Sequence, residues 1–212
     1  MAKPNFARSE RTALANLLTE IGPDQPTLCA GWQTRDLAAH LVTRDRRPDA
    51  VAGVLIKPFA GYVDRLRNAA AARPWDVLIA QVDQPPRASM AGIGPLDRLA
   101  NTGEFFIHHE DVRRAQPNWT PRPLDHGLGE ALSRQVKLMA KLRLRKFPAH
   151  ITITMPDYGA PILVGAGGPD LDISGDPGEI TLLLSGRQHA SRATIVGPDD
   201  LVERVRTAKL GI

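Results

Sequence analysis

The feature that most constrains this chain is a change of hydrophobic period near Pro148. Ahead of it, apolar residues recur at helical spacing. Behind it, HITITMPDY alternates with period two, and PILVG and LDIS form further short strands between Gly and Pro punctuation. One chain carrying both grammars implies an α+β protein in two parts. A helical bundle is expected over residues 1–147 and a small C-terminal α/β domain over 148–212. In the first part, Phe6, Leu14, Leu17, Leu18 and Ile21 lie at helical spacing and stop at Gly22-Pro23. Thr34 is a good N-cap for a helix from 35 to about 46. Helices follow at 59–72, 75–82, about 95 to 115 and 125–146, with loops expected at 84–86 and 92–95. Residues 117–123 hold three prolines and interrupt the pattern. After the strands, helical pieces fall at 177–186 and 198–209.

Composition removes several function classes. The 27 Lys and Arg exceed the 23 Asp and Glu by only four. That excess is mild, and nucleic-acid binding needs clustered charge. The candidate cluster is Arg134, Lys137, Lys141, Arg143, Arg145 and Lys146. Leu132, Val136, Met139, Leu142 and Leu144 interleave with it, which places the charges on the wet face of a helix. No apolar run approaches a bilayer span. The opening MAKPNFARSERTAL lacks the apolar core of a secretory signal, so a cytoplasmic protein with no membrane partner is expected. A single cysteine, Cys29, excludes a disulfide framework and an all-cysteine zinc site. Beside Gly31-Trp32 it is expected to be a small buried thiol.

The chemistry gathers on one helix stripe. In NTGEFFIHHEDVRRA, Glu104 and His108 are i and i+4, and Asn101 and Asp111 extend the same face. Apolar residues flank that stripe on both sides, so it is expected to face inward. Thr102, His109 and Arg113 fall on the opposite face and are expected in solvent. A buried carboxylate is costly unless it is paired or holds a metal. In TRDLAAHLVTRDRR, His40 shares a face with Leu37, Leu41 and Arg44, and so also points inward. Two histidines and a glutamate from two helices suit a divalent metal with an open fourth position. The same residues also suit hydrogen-bonded core histidines and an ordinary helix-surface pair. His126, His150 and His189 show no partner pattern.

These residues resemble a known family. Gly31, Trp32, Asp36, Leu37, His40 and Leu41 form G-W-x-x-x-D-L-x-x-H-L. This is similar to the second-helix motif of mycothiol-dependent maleylpyruvate isomerase-like proteins, in the DinB-like superfamily of metal-binding four-helix bundles. Glu104, His108, Asp111, Arg114 and Ala115 form E-x-x-x-H-x-x-D-x-x-R-A, similar to that family's second metal segment. T-L-C-x-G-W at 27–32, R-x-R-R-P-D-A at 44–50 and F-x-H-H-E-D-V-R-R-A at 106–115 resemble an actinobacterial branch of unknown substrate. The resemblance implies His40, Glu104 and His108 as metal ligands, zinc first and nickel or iron next. It also implies a C-terminal sterol-carrier-like domain, matched by L-L-L-S-G-R at 182–187. Mycothiol is the implied co-substrate, with a small electrophile as its partner, in S-transfer or isomerisation.

Three further residues carry expectations. Asp111 either orients a ligand imidazole or pairs with Arg114 or Arg44. Arg44 either lines the pocket mouth and binds a carboxylate, or is a solvated cation near a helix end. The resemblance also implies an arginine of the C-terminal domain near the active site, for which Arg187 is the candidate. Asp36 is expected to serve the start of its helix, and Trp32 to anchor the junction of loop and helix. The competing functions are a non-catalytic small-molecule binder, a nucleic-acid or protein-interaction module, and a metal-dependent hydrolase.

Overall fold

The computed structural model describes residues 4–47, 60–86 and 94–211, with the side chains of 60 and 94–100 left aside. The chain divides into two compact units, Met1–Thr120 and Pro121–Ile212. Together they make an α+β protein, as the change of period implies.

In the first unit, α1 is Phe6–Ile21, α2 Thr34–Arg46, α3 Ala60–Ala71, α4 Trp75–Asp83 and α5 Gly94–Arg113. α1 begins where the Asn5 side chain accepts the Arg8 N–H at 3.1 Å. It ends at Gly22, whose φ of 84° favours glycine and whose N–H donates to the Leu18 carbonyl. α2 begins one residue earlier than expected. Gln33 is its N-cap, and Asp36 accepts the Gln33 N–H at 3.1 Å, the helix-start role expected of it. Thr34 turns instead to the preceding loop, donating to the Gly22 carbonyl at 2.7 Å. α1 packs on α4 and α5, and α2 on α3 and α4. Leu14, Leu18, Leu37, Leu41, Leu78, Val82, Phe105 and Val112 fill the core between them. Each such side chain contributes roughly 1.5–3 kcal/mol by leaving water.

In the second unit, α6 is His126–Arg143, β1 His150–Thr154, β2 Ile162–Val164, β3 Asp170–Ser174, α7 Pro177–Leu184, β4 Thr194–Val196 and α8 Asp199–Thr207. The strand order is β2-β1-β3-β4, with β1 and β3 parallel and both outer pairs antiparallel. Ile151, Ile153, Leu171 and Ile173 turn one sheet face to the core, where Ile180, Leu183, Leu201 and Val205 meet them. β4 has no counterpart in the expected strands.

The division between units falls at 120/121 rather than at the expected 147/148. α6 supplies the reason: Val136, Ala140 and Leu144 join the core of the sheet, and the helix packs on α7 and β2. The proline-rich stretch 117–123, rather than the change of period, marks the boundary. Arg134, Lys137 and Lys141 on α6, and Arg145 and Lys146 in the turn after it, are exposed, as expected of a wet face, whereas Arg143 is half-buried and donates to the Leu184 carbonyl. Leu142 departs from its apolar assignment, being exposed together with Leu138. Among the described residues, no helix is long and apolar enough to cross a membrane.

Candidate metal centre

α5 presents Glu104 and His108 one turn apart, and α2 brings His40 to meet them. His108 Nε2 is 3.3 Å from Glu104 Oε1, and His40 Nε2 is 3.6 Å from the same oxygen. The two imidazole rings meet edge to face, with centroids 5.3 Å apart. One donor atom from each of His40, Glu104 and His108 lies within 4.8 Å of the other two. Leu37 and Leu41 are fully buried beside His40, which holds that part of α2 against the bundle.

The partner of the other His108 nitrogen decides what this cluster can do. His108 Nδ1 lies 2.9 Å from Asp111 Oδ2, and Asp111 is fully buried. With Asp111 ionised, Nδ1 carries a proton and donates it, and Nε2 is the nitrogen turned toward Glu104 and His40. A carboxylate behind a metal-binding imidazole is the usual outer support of such sites. Cys29 Sγ also donates to Asp111 Oδ2, at 3.2 Å. The loop carrying it is tied down by the Leu28 N–H, which donates to the Asp111 carbonyl at 2.9 Å.

The electrostatics divide the two histidines. Burial pushes His40 below the ordinary imidazole pKa, and the hydrogen bond to Glu104 does not reverse it. Burial alone would also lower His108, but hydrogen bonds with Asp111, Cys29 and Glu104 hold it well above the ordinary value. Burial alone would raise Glu104; hydrogen bonds from His108 and His40 outweigh it and hold the carboxyl well below the ordinary range. The metal-free cluster therefore holds a carboxylate, a neutral imidazole at His40 and a proton on His108 that a metal must displace.

Arg44 does not stand free at the mouth. Its Nε is 3.3 Å from Glu104 Oε1 and its Nη1 is 3.6 Å from Asp45 Oδ1. Asp45 in turn accepts from the fully buried Arg11 at 2.5 Å. Alternating charges thus run from Glu104 through Arg44 and Asp45 to Arg11.

The structure brings together His40, Glu104, His108, Asp111 and Arg44. Asp111 faces His108 and Cys29, while Arg114 pairs with Glu110 at 2.6 Å. Arg187 lies in the second unit, where its Nη1 donates to the Ser185 carbonyl at 2.6 Å. Three expectations are corrected. His109 is buried, its Nδ1 3.0 Å from Glu10 Oε2, because α1 covers the α5 face that was expected in solvent. Thr102 is buried on that face too. Cys29 is half-buried and joins the site, forming a second cluster of possible metal donors with His108 and Asp111. The nearest signal for it was its place just ahead of Gly31-Trp32, next to the helix that supplies His40. Pro48, Asp49 and Ala50 of the arginine-rich motif, and residues 92–93 of the loop expected at 92–95, lie outside the described residues, while Gly94 and Pro95 open α5 rather than belonging to that loop.

Comparison with known proteins bears on the family and the fold. Residues 7–89 match the family profile described as the mycothiol maleylpyruvate isomerase N-terminal domain. No curated protein sequence matches. Two solved structures share the fold: the mycothiol-dependent maleylpyruvate isomerase, at 13% identity, and its histidine-to-alanine mutant, at 12%. Each aligns over 90% of both chains with a TM-score of 0.60. The resemblance seen in the sequence is thereby supported: residues 7–89 are similar to the mycothiol maleylpyruvate isomerase N-terminal domain, and the chain shares the α+β fold of that isomerase.

Proposed function

We propose that this protein is a metal-dependent enzyme that uses a low-molecular-weight thiol, mycothiol, on a small electrophile. The observation that carries the reading is the convergence of His40, Glu104 and His108, with the far side of His108 already committed to Asp111. Two imidazoles and a carboxylate fit a divalent ion such as zinc, nickel or iron, and leave a position open. A divalent ion held there would supply Lewis acidity, lowering the pKa of a thiol at the open position.

The residues of this chain then have separate tasks. Asp111 keeps His108 in the tautomer whose Nε2 is available. Arg44 holds Glu104 Oε1 toward the cluster while Asp45 holds Arg44. Trp32 borders the site, its ring 5.3 Å from that of His40. The thiolate sulfur forms a bond to an electrophilic carbon of the substrate, whose π electrons move onto the neighbouring acceptor. Retention of that adduct with uptake of a proton is S-transfer. Rotation about the new single bond, followed by loss of the thiolate, is cis–trans isomerisation.

Elemental mass spectrometry tests the reading on protein purified without added metal or chelator. About one equivalent of divalent metal is expected in the wild type and is expected to be lost in His40→Ala and His108→Ala. A folded wild type that carries no metal and takes up no added zinc overturns it. Loaded protein is then assayed for thiol consumption with unsaturated acids. Saturable turnover identifies an enzyme, whereas binding without turnover leaves a metal-dependent binding protein. Arg187→Ala in the same assay tests whether the second unit contributes.

A further inference from the structure

Arg67 stands beside the metal centre with an unusual surplus of binding capacity. It projects from α3, and its guanidinium carbon lies 4.9 Å from the centroid of the Trp32 ring. That ring is 5.3 Å from His40. Arg67 has one acidic neighbour, Asp64 at 3.5 Å, which is 58% exposed. Its Nε is buried without a hydrogen-bond partner. A buried donor left unmade is costly, and an exposed i,i+3 pair contributes little to offset it. A guanidinium carries five donors in a planar fork, and stacking on an indole fixes the plane of that fork.

The other arginines near the centre are already committed. Arg44 is shared between Glu104 and Asp45. Arg35 donates to the carbonyls of Ala71 and Arg73, and Arg47 donates to the Tyr62 hydroxyl. Arg11 and Arg46 also hold a buried guanidinium nitrogen without a partner, but among these arginines Arg67 is the one stacked on the Trp32 ring that adjoins His40.

We infer that Arg67, laid against Trp32, is the carboxylate-binding residue of this site, and so selects thiols or electrophiles that bear an acid group. Arg44, for which that part was one of two roles open from the sequence, instead positions Glu104. The inference rests on the metal-and-thiol reading above. It requires a bound reactant to extend past His40 along the Trp32 wall. A planar, bidentate acid suits the guanidinium better than it would suit an ammonium.

The test uses cobalt-loaded protein, because a sulfur-to-cobalt charge-transfer band reports thiol binding without turnover. Mercapto acids, from mercaptoacetate through mercaptohexanoate, are titrated against their methyl esters. Fumarate and dimethyl fumarate are then titrated into protein already holding methyl mercaptoacetate. The wild type is expected to prefer the acid by about tenfold in at least one arm, and the arm identifies which reactant carries the carboxylate. Arg67→Ala is expected to lose that preference while ester affinity and cobalt content stay unchanged. Arg67→Lys, the gentler replacement, is expected to retain part of it. Equal acid preference in wild type and both variants, or no acid preference in either arm, overturns the assignment and leaves the metal-and-thiol reading intact. Absence of the band with every thiol, in protein that has taken up cobalt, overturns that reading and this inference with it.

Discussion

α5 carries two adjacent histidines, and the two faces of the helix use them differently. His108 and His109 are both buried, and each holds a carboxylate on Nδ1 at close to the same distance, 2.9 Å to Asp111 and 3.0 Å to Glu10. Burial and a carboxylate partner therefore do not distinguish them. The opposite nitrogen does. His108 Nε2 faces Glu104 and His40, whereas His109 belongs to no cluster of metal donors among the described residues. One histidine faces a space that two helices furnish with ligands, and the other closes the contact between α1 and α5. Convergence of donors, rather than burial of polar groups, is what marks the candidate metal site here.

The largest effect expected from this contrast comes from exchanging the two histidines in a metal assay. His108→Ala removes a ligand and is expected to abolish stoichiometric metal, as seen by elemental analysis after gel filtration. His109→Ala is expected to keep the metal and lose stability instead. It removes the partner of the buried Glu10 carboxylate, at a cost of about 1–3 kcal/mol by denaturant unfolding. Metal loss in His109→Ala with the fold intact would break the comparison.

The carboxylates sharpen it further. Asp111→Asn leaves a side chain of the same shape, but an amide no longer enforces the Nδ1–H tautomer of His108. Metal affinity is expected to fall about 10–100-fold, as for other outer supports of metal ligands, with far-UV circular dichroism unchanged. Glu10→Gln is expected to leave metal affinity within twofold of the wild type, roughly 0.4 kcal/mol. Chelator competition with a chromogenic zinc indicator measures both.

How much of this was legible in the sequence follows from what periodicity can see. The stripe of Glu104, His108 and Asp111 sits where the 3.6-residue repeat places it, and His40 follows from its apolar neighbours on α2. Periodicity on one helix cannot say that a second helix covers the opposite face. Read alone it puts His109 and Thr102 in solvent, although α1 buries both. Cys29 was beyond reach for another reason. Its position depends on a loop tied to α5 by the Leu28–Asp111 backbone hydrogen bond, and loops have no period. The i+4 spacing from His40 brings Arg44 into the right neighbourhood, but it cannot reveal that Asp45 and Glu104 share it. On α6, the helical pattern was correct. The core it serves was not, since a stripe of Val136, Ala140 and Leu144 does not name the surface it will meet.

The smallest effect concerns pH, and its sign separates a proton-holding cluster from a metal-holding one. In chelator-treated protein the pKa of His108 is raised above its unfolded value, with Asp111, Cys29 and Glu104 outweighing burial. A raised folded pKa means that the native state binds the proton more tightly than the unfolded chain does. The resulting stability is fully present below the unfolded value of about 6.5 and is lost as pH rises through the folded value. The thermal midpoint of metal-free protein is therefore expected to drift downward above neutrality. Metal affinity is expected to move the opposite way, strengthening as pH rises, because His108 must give up that proton to bind. Asp111→Asn is expected to flatten both slopes, since it removes the largest favourable interaction of the charged imidazole. Parallel slopes, with metal-free stability and metal affinity both rising with pH, would mean that His108 is neutral before metal arrives and that Asp111 does no more than fix its orientation.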